Sequence, residues 1–470
     1  SQRAATWWLF GRKFPGEKIA SIWRSHLFND FHDILPGTCV EAAERDALGL
    51  YAKAEAEARM LKLEAAAAWA GANEDRAAIP LTVLGSNPAL TRVPVEAEFM
   101  IEHRPKWTGS WTVRLEDAAG RDVACQEEQP EALLPFNGWR RKIVFLADLP
   151  GMGAAYYKVK PVEIETAVSF RAAGADFPKA GIPRLLAVND AGDSWGTDCR
   201  GFGDVAGIFE PIGSAKVVEG GPVRTVFESE WAWRQSRAVL QTLVYPDWPA
   251  AEIRLRIFWN EERTRLVLGF PAAQAFDSVF CEIPGGAIRR PADGEIHVHG
   301  RWCAVCGEDC DLPALGIAHG GLHGLECRDG EIRLSALRGS AYCHERGFDL
   351  RPGRAYKFAD QGVHELRLAV TTGTTKDVLR ILPGLADWIS GPPAVYAHLP
   401  FGRGGEKGTG GADAGSAESA GLRPFLSIAP ANVRMLSCRP SADGKALLVR
   451  VQESLGWKTT TKINIARVSG

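Results

Sequence analysis

The chain has 470 residues, of which 46% are hydrophobic and 24% charged, and its formal net charge is −2. This length exceeds one ordinary hydrophobic core, so two or three domains are expected, and the composition is that of a soluble globular protein. The near-neutral charge without a basic run argues against a nucleic-acid partner, and no stretch approaches the roughly 18 apolar residues of a membrane span.

Cysteine usage bears on the compartment. Ten cysteines are dispersed along the chain, and no Asn-X-Ser/Thr glycosylation sequon occurs. Both observations favour a reducing, cytoplasmic environment. Fifty glycines and fifteen tryptophans indicate many turns and large apolar anchors, a composition that suits a β-rich body.

The first elements in the chain are predicted helices. Apolar residues recur at three- and four-residue spacing over 17–30, and the Pro-Gly pair at 36–37 then ends this helix. Thr38 and Glu41 match the Thr-X-X-Glu capping box, so a second helix is predicted to start there and to end near Gly71. Small residues along one face of that helix favour close packing in a helical bundle.

From about residue 80 the apolar period changes to two, which predicts strands. Isoleucine and leucine alternate with arginine over 253–257, and similar runs recur to the end of the chain. Residues 402–421 are rich in Gly, Ala and Ser, as in a flexible loop. The predicted fold is mainly β, a helical-bundle segment followed by a large antiparallel β-sandwich. The predicted units are a helical segment at 1–75, a β-sandwich body at 76–401, a loop at 402–421 and terminal strands at 422–470.

One segment, Phe-Asn-Asp-Phe-His-Asp-Ile-Leu-Pro-Gly-Thr at 28–38, places His32 and Asp33 after the first helix. It resembles the His-Asp motif of glycoside hydrolase family 38, the α-mannosidases. Further segments resemble strands of that family's β domain in the same order: 193–196, 207–210, 219–224, 254–262, 266–271, 282–286 with 289–291, 364–366 and 424–428. The resemblance implies the end of the family's middle helical domain followed by its C-terminal, galactose-mutarotase-like β domain.

The same resemblance implies roles for two residues. His32 would be one ligand of an active-site zinc, because zinc binds neutral imidazole nitrogen. Asp33 would accept hydrogen bonds from mannose hydroxyls, which a charged carboxylate binds strongly. Without the resemblance, His32 would be a helix-end or core residue and Asp33 a turn residue that accepts backbone N–H bonds. A single histidine cannot hold zinc tightly, so weak or no metal binding is expected of the isolated chain.

Two further residues are candidate substrate contacts. Trp195 lies between Asp193 and Asp198. Its ring could pack on the apolar face of a sugar, or it could belong to the core. Arg338, in Ser-Ala-Leu-Arg, resembles a family position whose loop reaches toward the active site, and a surface arginine is the alternative.

The expected activity follows from the catalytic residues of the family, which lie in another domain. Its His-X-Asp motif, nucleophilic Asp and acid/base carboxylate lie in an N-terminal α/β domain, and this chain contains no His-X-Asp. No catalytic residue is therefore assigned here, and the isolated chain is expected to be inactive. The parent protein is expected to be a retaining, zinc-dependent α-mannosidase acting on an α-mannoside glycan or a small mannoside. Its partners would be the catalytic domain and, left open, a second copy of the chain.

Two alternatives remain at this point. If the chain is a complete gene product, it would be a non-catalytic carbohydrate-binding or assembly module, since it has no nucleophile. Separately, Cys303, Cys306 and Cys310 follow His297 and His299 in a spacing that resembles a structural zinc site. Ordinary core and surface thiols are the other interpretation.

Overall fold

The computed structural model describes residues 13–69, 78–85, 92–101, 110–131, 140–149, 151–164, 181–197, 199–307, 309–344, 350–399, 422–423 and 426–465. The predicted loop at 402–421 lies outside these residues. Within them the predicted fold class is confirmed, because two helices open the chain and antiparallel strands make up most of the remainder. The helices are α1 (Gly16–Phe28), α2 (Glu41–Trp69) and α3 (Thr375–Ser390).

The strands before residue 220 are β1 (Ile79–Leu84), β2 (Arg92–Met100), β3 (Ser110–Asp117), β4 (Asp122–Val123), β5 (Cys125–Glu128), β6 (Arg140–Asp148), β7 (Ala154–Ile164), β8 (Arg184–Asn189), β9 (Val205–Ile208), β10 (Glu210–Pro211) and β11 (Lys216–Gly220). The next strands are β12 (Thr225–Trp233), β13 (Ser236–Val244), β14 (Ala251–Trp259), β15 (Thr264–Pro271), β16 (Ser278–Ile283), β17 (Gly286–Pro291), β18 (His297–Val298), β19 (Trp302–Cys306), β20 (Pro313–His319), β21 (Gly324–Arg328), β22 (Glu331–Arg338) and β23 (Gly362–Thr374). The last are β24 (Ala394–Ala397), β25 (Leu422–Arg423), β26 (Leu426–Ala429), β27 (Val433–Pro440), β28 (Leu447–Glu453) and β29 (Lys462–Ile465).

Two large sheets form the central sandwich. One has ten strands, in the order β10-β12-β13-β14-β23-β20-β19-β16-β17 with β11 beside β12, and the other has six, in the order β18-β21-β22-β15-β8-β9. Their facing side chains form one apolar core. A second core lies on the far face of the ten-stranded sheet, where α3 and the sheets β24-β1-β7-β3-β4 and β2-β6-β5 pack.

Strand β19 shows how the alternation of side chains serves both cores. Cys303 and Val305 point into the sandwich core, whereas Trp302, Ala304 and Cys306 point into the core beneath α3. A strand buried on both faces therefore reads as a continuous apolar run. On the neighbouring strand, a Cβ at Gly316 would lie 2.7 Å from Val378 of α3, so glycine allows the helix to approach the sheet.

The predicted capping box at Thr38 is wrong. Helix α2 begins at Glu41, and the carbonyl of Val40 accepts the first backbone bonds, from the N–H groups of Ala43 and Glu44. The Thr38 hydroxyl instead donates backward to Asp33 Oδ1 at 3.1 Å. The Glu41 carboxylate accepts a bond from Lys357, which is distant in sequence. The bond of Thr38 to Asp33 and the bond of Glu41 to Lys357 thus replace the two bonds of the predicted capping box.

Candidate functional site

The His-Asp turn lies between α1 and α2 and is open to solvent. The side chain of His32 is 78% exposed, and its Nε2 lies 3.5 Å from Asp33 Oδ2. The ring of Phe31 packs against the imidazole with centroids 4.3 Å apart. Because Thr38 engages the other oxygen of Asp33, that carboxylate is held in one orientation while His32 presents its ring outward.

Contacts distant in sequence fasten this turn to the β body. The backbone N–H of Cys343 donates to the carbonyl of Cys39 at 3.2 Å. The hydroxyl of Tyr342 donates to the carboxylate of Glu44 on the first turn of α2. These residues follow strand β22 closely, so the end of β22 sets where the His-Asp turn sits on the body.

Arg338 is the last residue of β22, and its side chain binds the loop that carries Trp195. The guanidinium donates to the carboxylate of Asp190 and to the carbonyls of Asp193 and Ser194. Trp195 follows directly and is 40% exposed. The structure therefore brings two of the predicted sugar contacts together, and residues 339–343 connect them to the segment that fastens the His-Asp turn.

Asp190 is a residue that sequence analysis missed. It follows the last residue of β8, is buried, and also receives hydrogen bonds from Arg265 at 2.9 and 3.2 Å. Burial alone would raise the pKa of Asp190, but hydrogen bonds from Arg338 and the charges of both arginines outweigh it and lower that pKa. The sequence signal available was an aspartate at the end of a predicted strand, three residues before Asp193.

The three cysteines have the geometry of ordinary core and surface thiols. Cys303 and Cys306 point to opposite faces of β19, so they cannot share one metal ion, and Cys310 is exposed. Burial raises the pKa of Cys303 well above its usual value, which disfavours a thiolate ligand. Across the described ranges, no group of three or more His, Cys, Asp or Glu side chains could hold a metal ion.

Comparisons with known proteins cover both parts of the chain. Residues 2–68, which include the His-Asp turn, match the family described as the alpha mannosidase middle domain. An α-mannosidase from Enterococcus faecalis V583 superposes with a TM-score of 0.72 over 99% of this chain at 14% identity. The chain has the fold of the family 38 α-mannosidases. The resemblance predicted from sequence is thereby confirmed.

A second solved structure agrees with the first. It is a glycosyl hydrolase family 38 protein from Enterococcus faecalis, with a TM-score of 0.73 and 13% identity over 99% of this chain. This chain spans 61% and 63% of the lengths of these two solved chains. No curated protein sequence matches this chain. In the part of the chain that the structure describes, no helix is long and apolar enough to cross a membrane.

Proposed function

We propose that this chain is the C-terminal part of a retaining, zinc-dependent α-mannosidase that acts on terminal α-mannosides. The observation that carries the proposal is that the α-mannosidase middle-domain match contains His32 and Asp33, while the fold match extends over 99% of the chain. The two solved relatives are longer, and this agrees with a further domain that supplies the nucleophile and the acid/base carboxylate. A cytoplasmic location is part of the proposal, based on cysteine usage.

The exposed imidazole of His32 fits the role of a single zinc ligand, since its ring faces solvent and zinc binds imidazole nitrogen. The other ligands would come from the N-terminal α/β domain. When bound, zinc would orient the sugar and stabilise developing charge. Asp33 would accept hydrogen bonds from the sugar hydroxyls, with its carboxylate held by Thr38.

The surface beside the His-Asp turn supports a domain partner. Helix α1 has no buried residue, and it exposes a row of large apolar side chains that continues into the turn. The row comprises Trp23 (51% exposed), Leu27 (55%), Phe28 (72%), Phe31 (53%) and Leu35 (67%). Several large exposed apolar side chains in one short segment are typical of an interaction site. We assign it to the catalytic domain, whose residues would complete the zinc site next to His32.

The test uses the complete gene product that contains these 470 residues. It should hydrolyse 4-nitrophenyl α-mannoside, lose activity with a chelator and regain it with zinc. The first product released should retain the α configuration by NMR. A complete gene product that leaves α-mannosides intact would contradict the proposal. Mannoside binding by the 470-residue chain without turnover in any context would favour the alternative, a carbohydrate-binding module.

A further inference from the structure

Arg338 commits most of its hydrogen-bonding capacity to one short loop. Its Nε donates to Asp190 Oδ2 at 2.5 Å, and its Nη2 donates to Asp190 Oδ1 at 3.1 Å. Nη2 also donates to the carbonyl of Asp193 at 2.6 Å, and Nη1 donates to the carbonyl of Ser194 at 3.0 Å. Four of the five N–H donors of a guanidinium would be needed for these bonds. With these donors used, Arg338 holds the backbone of the loop and has little capacity left to bind a ligand.

Asp190 fixes the arginine in turn. Its carboxylate is buried and receives Arg338 and Arg265 together, so both guanidinium groups are oriented by one charged acceptor. The backbone N–H of Asp190 also donates to the carbonyl of Arg263, which anchors the start of the loop. Removing Asp190 would leave two guanidinium groups without their shared carboxylate, and removing Arg338 would leave Asp190 with Arg265 alone.

The loop itself closes around the guanidinium. Asp193 Oδ1 accepts from the Thr197 N–H at 3.0 Å, and its Oδ2 accepts from the Thr197 hydroxyl at 2.8 Å. Gly196 has φ of +72°, and a Cβ there would lie 3.7 Å from Arg338 Nη1. Trp195 thus follows two residues, Asp193 and Ser194, whose carbonyls bind Arg338, and it lies within the turn that the Asp193 carboxylate closes. Its side chain is partly exposed.

We infer that Arg338 and Asp190 are positioning residues that hold Trp195 as a stacking platform for the apolar face of a pyranose ring. The inference rests on the proposed function for the identity of the sugar. It assigns Arg338 an indirect role, through the backbone of Trp195, in place of direct contact with the substrate. Arg265 binds the same carboxylate but donates to neither loop carbonyl, so it provides a matched control.

The first arm of the test reports the position of Trp195 without any activity. The 470-residue chain is labelled with 5-fluorotryptophan, and Trp195→Phe identifies one fluorine resonance among the 15 tryptophans. Arg338→Lys keeps the charge beside Asp190 but cannot reach both carbonyls, so the Trp195 resonance should shift and broaden. Arg265→Lys should leave that resonance in place. An unchanged Trp195 resonance in a folded Arg338→Lys variant overturns the inference.

The second arm measures kinetics on an α-mannoside in the complete gene product. Arg338→Lys and Trp195→Ala should each raise KM about three- to tenfold, the size of one lost stacking contact, with little change in kcat. The double variant should be no worse than either single variant, because both remove the same platform. Additive losses, or a shifted resonance with an unchanged KM, would overturn the inference. A wild-type protein without activity would instead contradict the proposed function. The fluorine resonance would still decide whether Arg338 positions Trp195.

Discussion

His299 and His319 form a direct imidazole–imidazole hydrogen bond, with their Nε2 atoms 2.8 Å apart and both rings buried. Nδ1 of His319 accepts from the Leu322 N–H at 3.0 Å, so the proton of neutral His319 is on Nε2. His299 must then accept at Nε2 and carry its own proton on Nδ1, which lies 3.1 Å from the carbonyl of His323. This bond pattern uses the Nε2 of both rings, so the pair is a structural contact rather than a metal-binding one.

The first prediction concerns acid stability. Burial, with the charge of Arg290 and the nearby His323 ring, lowers the pKa of His299 to about 4 despite Glu282. Burial, with His299, His323 and Arg301, also lowers the pKa of His319 well below its usual value. An unfolded histidine has a pKa near 6.5, so below that pH the unfolded chain binds more protons and stability falls. Between pH 7 and about pH 5, His299 alone should reduce the free energy of unfolding by about 2 kcal/mol.

Denaturant titration at both pH values checks this prediction. His299→Gln should be less stable than the wild type at neutral pH but should lose about 2 kcal/mol less on acidification. His364→Gln, on β23, is the control and should follow the wild type. Equal acid losses in His299→Gln and wild type would show that the pair does not govern the pH dependence.

The second prediction concerns the His-Asp turn in the complete gene product. His32→Ala should remove zinc and activity together, with little change in thermal stability because the side chain is 78% exposed. Asp33→Asn keeps the shape and the acceptor for Thr38 but removes a charge. A charge-assisted hydrogen bond contributes roughly 1.5–3 kcal/mol, so kcat/KM should fall by about one to two decades with zinc retained.

Metal analysis beside kinetics separates these two cases. Thr38→Val serves as the control, because it removes the bond that orients Asp33 while both site residues remain. It should lower activity less than Asp33→Asn does. A His32→Ala protein with full zinc content and near-normal activity would reduce the motif to a helix terminator.

The third prediction concerns Gly339, which follows Arg338. A Cβ at this position would overlap the backbone carbonyl oxygen of Glu261, and a backbone atom cannot move aside as a flexible side chain can. Gly339→Ala should therefore lower the free energy of unfolding by about 3 kcal/mol, as overpacking does. Gly321→Ala meets nothing within 4 Å and should change stability by less than about 0.5 kcal/mol. Equal midpoints for the two variants in urea would contradict the reasoning.

The fourth prediction concerns the attachment of the terminal strands. Arg434 of β27 donates to Glu282 at 2.7 Å and to Asp387 of α3 at 2.5 Å, and Arg301 bridges the same two carboxylates. Arg434→Met should weaken this attachment by about 2 kcal/mol, since the group is partly buried. Hydrogen exchange should rise over 426–465 and stay unchanged in β14. Arg439→Met, at an exposed position on the same strand, should alter neither region.

The sequence alone determined the β architecture and the likeness to the α-mannosidases. Alternation over 253–257 survives in β14 because every second side chain must enter the sandwich core. The Phe-His-Asp-Ile-Leu-Pro-Gly order predicted the end of a helix and a turn, because both structures depend only on neighbouring residues. The same locality made Thr38 misleading. Its hydroxyl bonds to Asp33 and the Glu41 carboxylate bonds to Lys357, so both capping side chains have other partners. The sequence around Thr38 does not reveal the contact with Lys357.

Only the tertiary structure decided which groups meet. Arg338 lies 148 positions from Asp190, and His319 lies 20 from His299. No periodicity links such pairs, because strand order and register bring them together. Burial then sets their chemistry: with little water to solvate a charge, Asp190 must have its arginines and the two histidines must stay neutral. Composition fixes which groups are available, but their pKa and role depend on neighbours that the folded sheets supply.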